Sequence, residues 1–406
     1  MQPDPDLSSL KRSLTLPLVT LYGLGNILGA GIYVLIGKVA GEAGFATPHS
    51  FLLASLIAGI TAFSYAELAS RFPLSAGEAV YVQEGLRIRK VSVIVGILII
   101  ATGIASAATI TRGFVGYLQI FIQVPDNVAM VTLLVLLGSL AAWGITQSVA
   151  TAAIFTLLEV VGLFLILGVT LPEIPQYIPR ANSAPDIAWT GIIGGAFLAF
   201  YAYVGFEDIV NIAEEVKRPR RNLPLAILLA LGLATLLYVF VAVAALSVVS
   251  PAVLRQSEAP LATVYQSVTG SDPWLISFIS MFAVVIGGLI QIIMSSRVCY
   301  GMSQQGWLPS SLGRINRLTR TPLLATALVT GLVTAGALWL PIETLARTTT
   351  TLLLFIFILI NLSLARIKLD PKRETPDFQV PLALPILGFV VSLGFLLAQL
   401  IAYNAD

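Results

Sequence analysis

Long apolar runs alternate with short polar stretches along the whole chain. Runs of membrane-spanning length recur at about 14–36, 50–68, 91–123, 128–144, 149–171, 187–214, 223–249, 274–303, 323–340, 345–365 and 382–402. A helix needs about twenty apolar residues to cross the hydrocarbon of a bilayer. The pattern therefore predicts an all-α polytopic membrane protein with about eleven transmembrane helices. Prolines such as Pro48, Pro73, Pro125, Pro172, Pro219, Pro273 and Pro322 fall in the gaps, where helix breakers belong. Only 11% of the residues are charged, against about a quarter in soluble domains. That leaves almost nothing for a soluble domain.

The basic residues report orientation. Lys11 and Arg12 precede span 1, and Arg71, Arg87, Arg89 and Lys90 lie between spans 2 and 3. Lys217, Arg218, Arg220 and Arg221 follow span 6, Arg314, Arg317 and Arg320 follow span 8, and Arg366, Lys368, Lys372 and Arg373 follow span 10. Basic loops stay in the cytoplasm. The expectation is an integral protein of the cell (inner) membrane with a cytoplasmic tail at 1–12 and, after an odd number of spans, an external C-terminus. The tail lacks the charged, apolar and cleavage regions of a signal peptide. Arg112 is expected to snorkel outward from the long third run. The external segment 250–272 is apolar enough around Leu261 to Tyr265 to form a short helix. One cysteine, Cys299, excludes an internal disulfide, and one histidine, His49, excludes a histidine-based metal cluster. No cofactor, no nucleic-acid partner and no enzymatic chemistry are indicated.

Two spans carry weak points at mid-membrane. Gly25-Asn26-Ile27-Leu28-Gly29-Ala30-Gly31-Ile32-Tyr33 places three glycines in the middle of span 1. Close packing through Gly25 and Gly29 is one reading; a broken helix is the other. Span 6 contains Phe200-Tyr201-Ala202-Tyr203-Val204-Gly205-Phe206-Glu207-Asp208, aromatic, with a glycine and two adjacent carboxylates. The two breaks lie about 15 and 16 residues from the starts of their runs, roughly 23 Å in from opposite faces. Interrupted spans at corresponding places in two halves point to an inverted-repeat transporter. The repeats would be 13–171 and 187–367, with an added helix at 381–402.

The half-helix after the first break offers free N–H groups and the positive end of its dipole. Ile27, Gly29, Ala30, Gly31 and Ile32 would hold a carboxylate there. The half-helix ending at Phe200, Tyr201, Ala202 and Tyr203 offers free carbonyls to an ammonium group, with Gly205 in the turn. A ligand with both groups on one carbon is an α-amino acid. Tyr203 and Phe206 are the residues expected to close over it. Thr102 and Ser106 of span 3, with Gly103 and Ala107, the surroundings of Phe282 and the segment Thr348 to Thr351, would line the side-chain pocket. These positions are small or uncharged, which favours neutral amino acids.

Several stretches carry a family resemblance. They are Gly29-Ala30-Gly31-Ile32-Tyr33, Tyr65-Ala66-Glu67-Leu68, Pro73-Leu74-Ser75-Ala76-Gly77-Glu78 and Phe200 to Glu207. To these are added Ala213-Glu214-Glu215-Val216-Lys217-Arg218-Pro219 and Ser296-Arg297-Val298-Cys299-Tyr300-Gly301-Met302 with Gly306-Trp307-Leu308-Pro309. In this order the chain resembles the amino acid–polyamine–organocation (APC) superfamily along nearly its whole length. The resemblance implies a five-plus-five inverted-repeat fold of the LeuT type, helices 1 and 6 broken, holding substrate as described. Members usually have twelve spans; this sequence shows about eleven. In proton-coupled relatives this part of helix 5 carries a lysine near the sodium position of sodium-coupled cousins. Here it is Glu159, an acid at bilayer depth and hence a functional candidate.

Span 8 has no hydroxyl side chain from Met281 to Met294, which weakens the case for a sodium site. The reading is a secondary active transporter of amino acids, working by alternating access. A proton is the coupling ion, carried by Glu159, which when protonated would donate to a span-1 carbonyl near Ile27. An amine or polyamine exchanger using Glu207 or Asp208 stays open, as does an amino acid sensor without net transport. Glu67, Glu78, Glu214 and Glu215 are expected in structural ion pairs. Arg297 is expected to snorkel, and Cys299 to pack. The run from Gly31 to Lys38 is not a phosphate loop, since its glycine spacing is one too long and Val39 replaces Ser or Thr.

Overall fold

The computed structural model describes residues 12–75, 77–119, 121–183, 189–257 and 259–403. Most of the expected N-terminal tail, Lys11, and the start of the expected second repeat at 187 lie outside them. Among the described residues, the eleven apolar runs correspond to eleven helical segments. They are Leu16–Ala43, Thr47–Arg71, Arg89–Leu118, Asp126–Trp143, Ile145–Thr170, the interrupted span 6, Pro219–Val248, Trp274–Gln304, Leu323–Trp339, Ile342–Leu369 and Ala383–Tyr403. Span 6 is a helix over Trp189–Tyr201 and, after a break, a 3₁₀ helix over Glu207–Glu215. Among the described residues, eight segments are long and apolar enough to cross a membrane, and three shorter apolar helices belong to spans 6, 9 and 11.

The outward surface is apolar. Leu56, Val135, Leu136, Phe164, Leu236 and Phe240 are exposed on spans 2, 4, 5 and 7, as expected of helices whose solvent is lipid. Polar groups instead face the interior, against neighbouring spans. Span 8 is the central post: about nine-tenths of it is buried, between spans 1, 3 and 5.

Four loop regions rich in basic residues meet at one end of the bundle, here termed the basic face. Arg87 pairs with Asp370 at 3.0 Å, Arg373 with Glu84 at 2.8 Å, and Arg89 donates to the Gly306 carbonyl at 2.8 Å. There the chain entering span 1 is tied to the chain leaving span 6. Ser13 and Leu14 amides donate to the Glu215 carbonyl, and the Lys217 amide donates to that of Leu14. The broken spans thus share an anchor. The segment after span 7 forms two short helices, Pro251–Gln256 and Pro260–Thr269. Arg112 does not snorkel freely: span 3 runs on to Leu118, and the half-buried guanidinium donates to the Leu338 carbonyl of span 9.

Candidate functional site at the two helix breaks

Span 1 leaves helical geometry at Gly29. Its other glycines serve packing. A Cβ on Gly25 would stand 2.0 Å from the Thr156 hydroxyl of span 5. Both readings of the glycine stretch therefore hold, at different residues. Span 6 unwinds from Ala202 to Phe206. Gly205 adopts φ +127°, open to glycine and strained for other residues. A Cβ there would also meet the Asn26 side-chain nitrogen at 2.6 Å.

The breaks face each other. A Cβ on Gly31 would lie 3.0 Å from the Ala202 Cα. Between them sits a residue that sequence reasoning missed, Tyr238 of span 7. Its hydroxyl lies 2.5 Å from the Ile27 carbonyl oxygen and 2.8 Å from that of Ala202. These two carbonyls lie beside the breaks in spans 1 and 6. One hydroxyl has one proton, so it donates to one of them at a time. The two carbonyls therefore share one donor proton from this phenol. Ile27, Ile32, Phe200, Ala202, Tyr203 and Phe206 are all buried, so the site is occluded. Of Ala30 only the backbone belongs to the described part, in the half-helix after the break.

The other expected site residues divide. The Ser106 hydroxyl meets the Tyr201 hydroxyl and joins span 3 to the break in span 6. Thr102 turns its hydroxyl to the Leu98 carbonyl of its own helix. Gly103 packs on span 8. Phe282 stacks on Phe155, ring centres 5.1 Å apart, and belongs to a side cluster. Thr348 lines an apolar cavity of about 420 Å³ between spans 3, 9 and 10, with Ala101, Ile104 and Trp339. Tyr203 packs against Phe51 and Tyr238, and Phe206 against Tyr65 and Phe357. Both rings are fixed to neighbouring spans.

Glu159 of span 5 is fully buried, and neither carboxyl oxygen has a hydrogen-bond partner. The expected bond from Glu159 to the Ile27 carbonyl is not formed. Tyr238 takes that carbonyl instead, because its phenol reaches across from span 7. Glu159 is nonetheless close by: it lies within electrostatic reach of the Tyr238 hydroxyl, and its own carbonyl accepts from Tyr33 at 2.6 Å.

Toward the basic face the breaks continue into a polar core. Asp208 accepts from Asn26 of span 1 at 2.5 Å and from Gln291 of span 8 at 2.6 Å. Glu207 accepts the Gly205 amide at 2.9 Å, closing the turn at the break. Asn211 donates to Glu78, on the short helix Gly77–Leu86, at 3.2 Å. Burial, with no cation beside it, pushes the Glu78 carboxyl up to about 8. Two of the four glutamates expected in ion pairs form them: Glu67 with Arg71 and Lys368, and Glu215 with Arg297. Glu214 instead accepts the Ser75 amide. Arg297 does not snorkel; it is fully buried, because Glu215 meets it inside the bundle at 3.2 Å. Cys299 is buried, as packing requires.

An all-α polytopic bundle with opposed breaks in spans 1 and 6 is the architecture of an APC-type transporter. The sequence profile of the amino acid permeases matches residues 14–406, and the chain belongs to that family. It is 31% identical to a cationic amino acid transporter of Arabidopsis thaliana (number 3, mitochondrial) over 80% of its length and 57% of the plant protein's. It is 29% identical to the branched-chain amino acid permease BcaP of Bacillus subtilis over 78% of its length and 72% of that protein's. A methylthioribose transporter of the same bacterium is 27% identical over 96% of this chain and 88% of its own. The chain spans little more than half the length of the plant relatives it matches.

Proposed function

We propose that the protein is a secondary active transporter of amino acids, working by alternating access. The substrate's carboxylate binds the N–H groups of Gly29 to Ile32, and its ammonium binds the carbonyls of Ile27 and Ala202. One observation carries this reading: the Tyr238 hydroxyl stands between those two carbonyls, 2.5 and 2.8 Å away, as a stand-in donor where an ammonium would go. On arrival the ammonium displaces it and supplies more N–H donors than the phenol can. The two five-helix sets, 13–171 and 187–367, then rock about the site. The N-terminus lies in the cytoplasm of the cell membrane, with the basic face inward.

Neutral amino acids are the proposed substrates, because the breaks themselves carry carbonyls, small residues and aromatic rings. A cationic substrate is the second reading. Asp208 supports it, as do the names of the plant relatives. Coupling is assigned to a proton on Glu159, whose two unoccupied oxygens can gain or lose it without breaking a hydrogen bond. Uptake of one labelled amino acid into proteoliposomes, challenged with a panel of competitors, tests the function. Leucine and alanine competing above arginine support the neutral reading, and the reverse order supports the cationic one. Binding without any uptake would replace transport by sensing.

A further inference from the structure

The side chains of Asn26, Asp208 and Gln291 come from spans 1, 6 and 8 and meet in the buried interior. Their hydrogen atoms can be counted. The Asn26 amide donates one N–H to Asp208 and one to the Gly205 carbonyl, at 2.5 and 3.1 Å. The Gln291 amide donates one to Asp208 and one to the Asn26 side-chain oxygen, at 2.6 and 3.3 Å. All four amide hydrogens are committed, and two of them converge on one carboxylate oxygen.

Two neighbouring oxygens are left without partners. They are Gln291 Oε1 and Ser295 Oγ, both buried. They lie on the same side of span 8, against Gly103 of span 3. A Cβ there would stand 3.3 Å from the first and 2.1 Å from the second. The cluster therefore carries an acceptor that lacks a donor and, one turn along span 8, an unpartnered hydroxyl.

We infer that Asn26, Asp208 and Gln291 form a proton-binding latch that fastens spans 1 and 6 to span 8, and that one proton on Asp208 releases it. The proton adds an O–H to the carboxyl group, which turns from an acceptor of two bonds into a donor. The Gln291 amide rotates so that Oε1 accepts this O–H. Its nitrogen then leaves both Asp208 and Asn26 and donates to Ser295 Oγ, within its own helix. Both orphaned oxygens gain a partner, while Asn26 Oδ1 gives up the Gln291 donor and one Gln291 N–H its acceptor. The charged Gln291–Asp208 bond and the Gln291–Asn26 tie are exchanged for one neutral bond between spans 6 and 8, and the Asn26 bond to Asp208 no longer ends on a charge. Hydrogen bonds to a charged group are the stronger kind, so the fastening weakens.

The groups around the latch suit this role. Asp208 faces Glu207 from its own span, Tyr22 from span 1, Tyr65 from span 2 and Glu78 from the helix Gly77–Leu86. The cation nearby on span 8, Arg297, is held by Glu215. No described cation pairs with Asp208, so a proton is the charge it can exchange. The latch deepens the alternating-access reading and rests on it for its use, but not for its detection.

The test is a distance between spin labels on the full chain in lipid nanodiscs, without substrate. The labels are placed by Lys217→Cys and Gln305→Cys, at exposed ends of spans 6 and 8, in a Cys299→Ser background. Acidification should shift the wild-type ratio of latched to released distances by about tenfold, the effect of losing a hydrogen bond to a charged group. Asp208→Asn and Gln291→Leu should show the released distance at every pH, whereas Glu159→Gln should still switch. Gln291→Leu introduces no charge and decides the matter if Asp208→Asn does not fold. A wild-type distribution unmoved by pH, or a Gln291→Leu variant that switches as the wild type does, would overturn the latch. Either result would leave the substrate site untouched.

Discussion

Gly31 of span 1 lies so close to Ala202 of span 6 that a Cβ on it would stand 3.0 Å from the Ala202 Cα and 2.7 Å from the Tyr238 hydroxyl. The contact sets the width of the site. Gly31→Ala should wedge the two breaks apart at a cost of about 1–3 kcal/mol, and weaken substrate binding at least about tenfold. Gly31→Val should abolish binding while the protein still inserts. Equilibrium binding to purified, monodisperse variants checks both.

Tyr238→Phe removes the hydroxyl and leaves the Ile27 and Ala202 carbonyls without their shared donor. The occluded form should lose about 1–3 kcal/mol, the cost of orphaned buried polar groups. Because the loss falls on the empty carrier, net uptake should drop much more than exchange of bound substrate. Paired uptake and counterflow assays read the split. Equal losses in both would mean that Tyr238 holds the fold and not the empty state.

Glu159→Gln keeps the shape of the side chain and removes its proton exchange. An imposed pH gradient, without sodium, should no longer drive accumulation, while substrate exchange persists. Accumulation against a gradient at wild-type level would make Glu159 a structural acid.

How much of this was legible follows from where the signals lie. The breaks could be read because glycine and adjacent carboxylates interrupt otherwise apolar runs, at Gly29 and at Ala202 to Phe206. Tyr238, Asn26 and Gln291 could not, since each is one polar residue in a span, and its role is fixed by partners far away in the chain. Tyr238 meets Ile27 across 211 positions, and Gln291 meets Asn26 across 265. Arg297 was misread for the same reason: snorkelling is the fate of a lone cation near a helix end, and Glu215 makes it a paired one. Phe282 stacks on Phe155 and Thr348 lines a cavity against spans 3 and 9, placements that spacing along a helix does not give.

Glu78 gives a pH dependence on the basic face. Its carboxyl is shifted upward in the fold to about 8. The buried neutral form therefore contributes stability fully below the ordinary carboxylate range, and that contribution is lost as pH rises through about 8. Thermal unfolding in detergent should show wild type weakening on the alkaline side, with Glu78→Gln flatter and more stable there. A Glu78→Gln curve parallel to wild type would show that the carboxyl is not held neutral.

The central claim is that the two breaks hold the two charged ends of an α-amino acid. Three ligands of equal side chain should compete with a labelled amino acid on the purified protein: the amino acid, its methyl ester and the carboxylic acid lacking the amine. The ester removes the charge meant for the N–H groups around Gly31, and the acid removes the one meant for the carbonyls of Ile27 and Ala202. Each truncated ligand should bind at least about a hundredfold more weakly, since each leaves one set of buried backbone groups unanswered. Competition by either at the affinity of the intact amino acid would contradict the account.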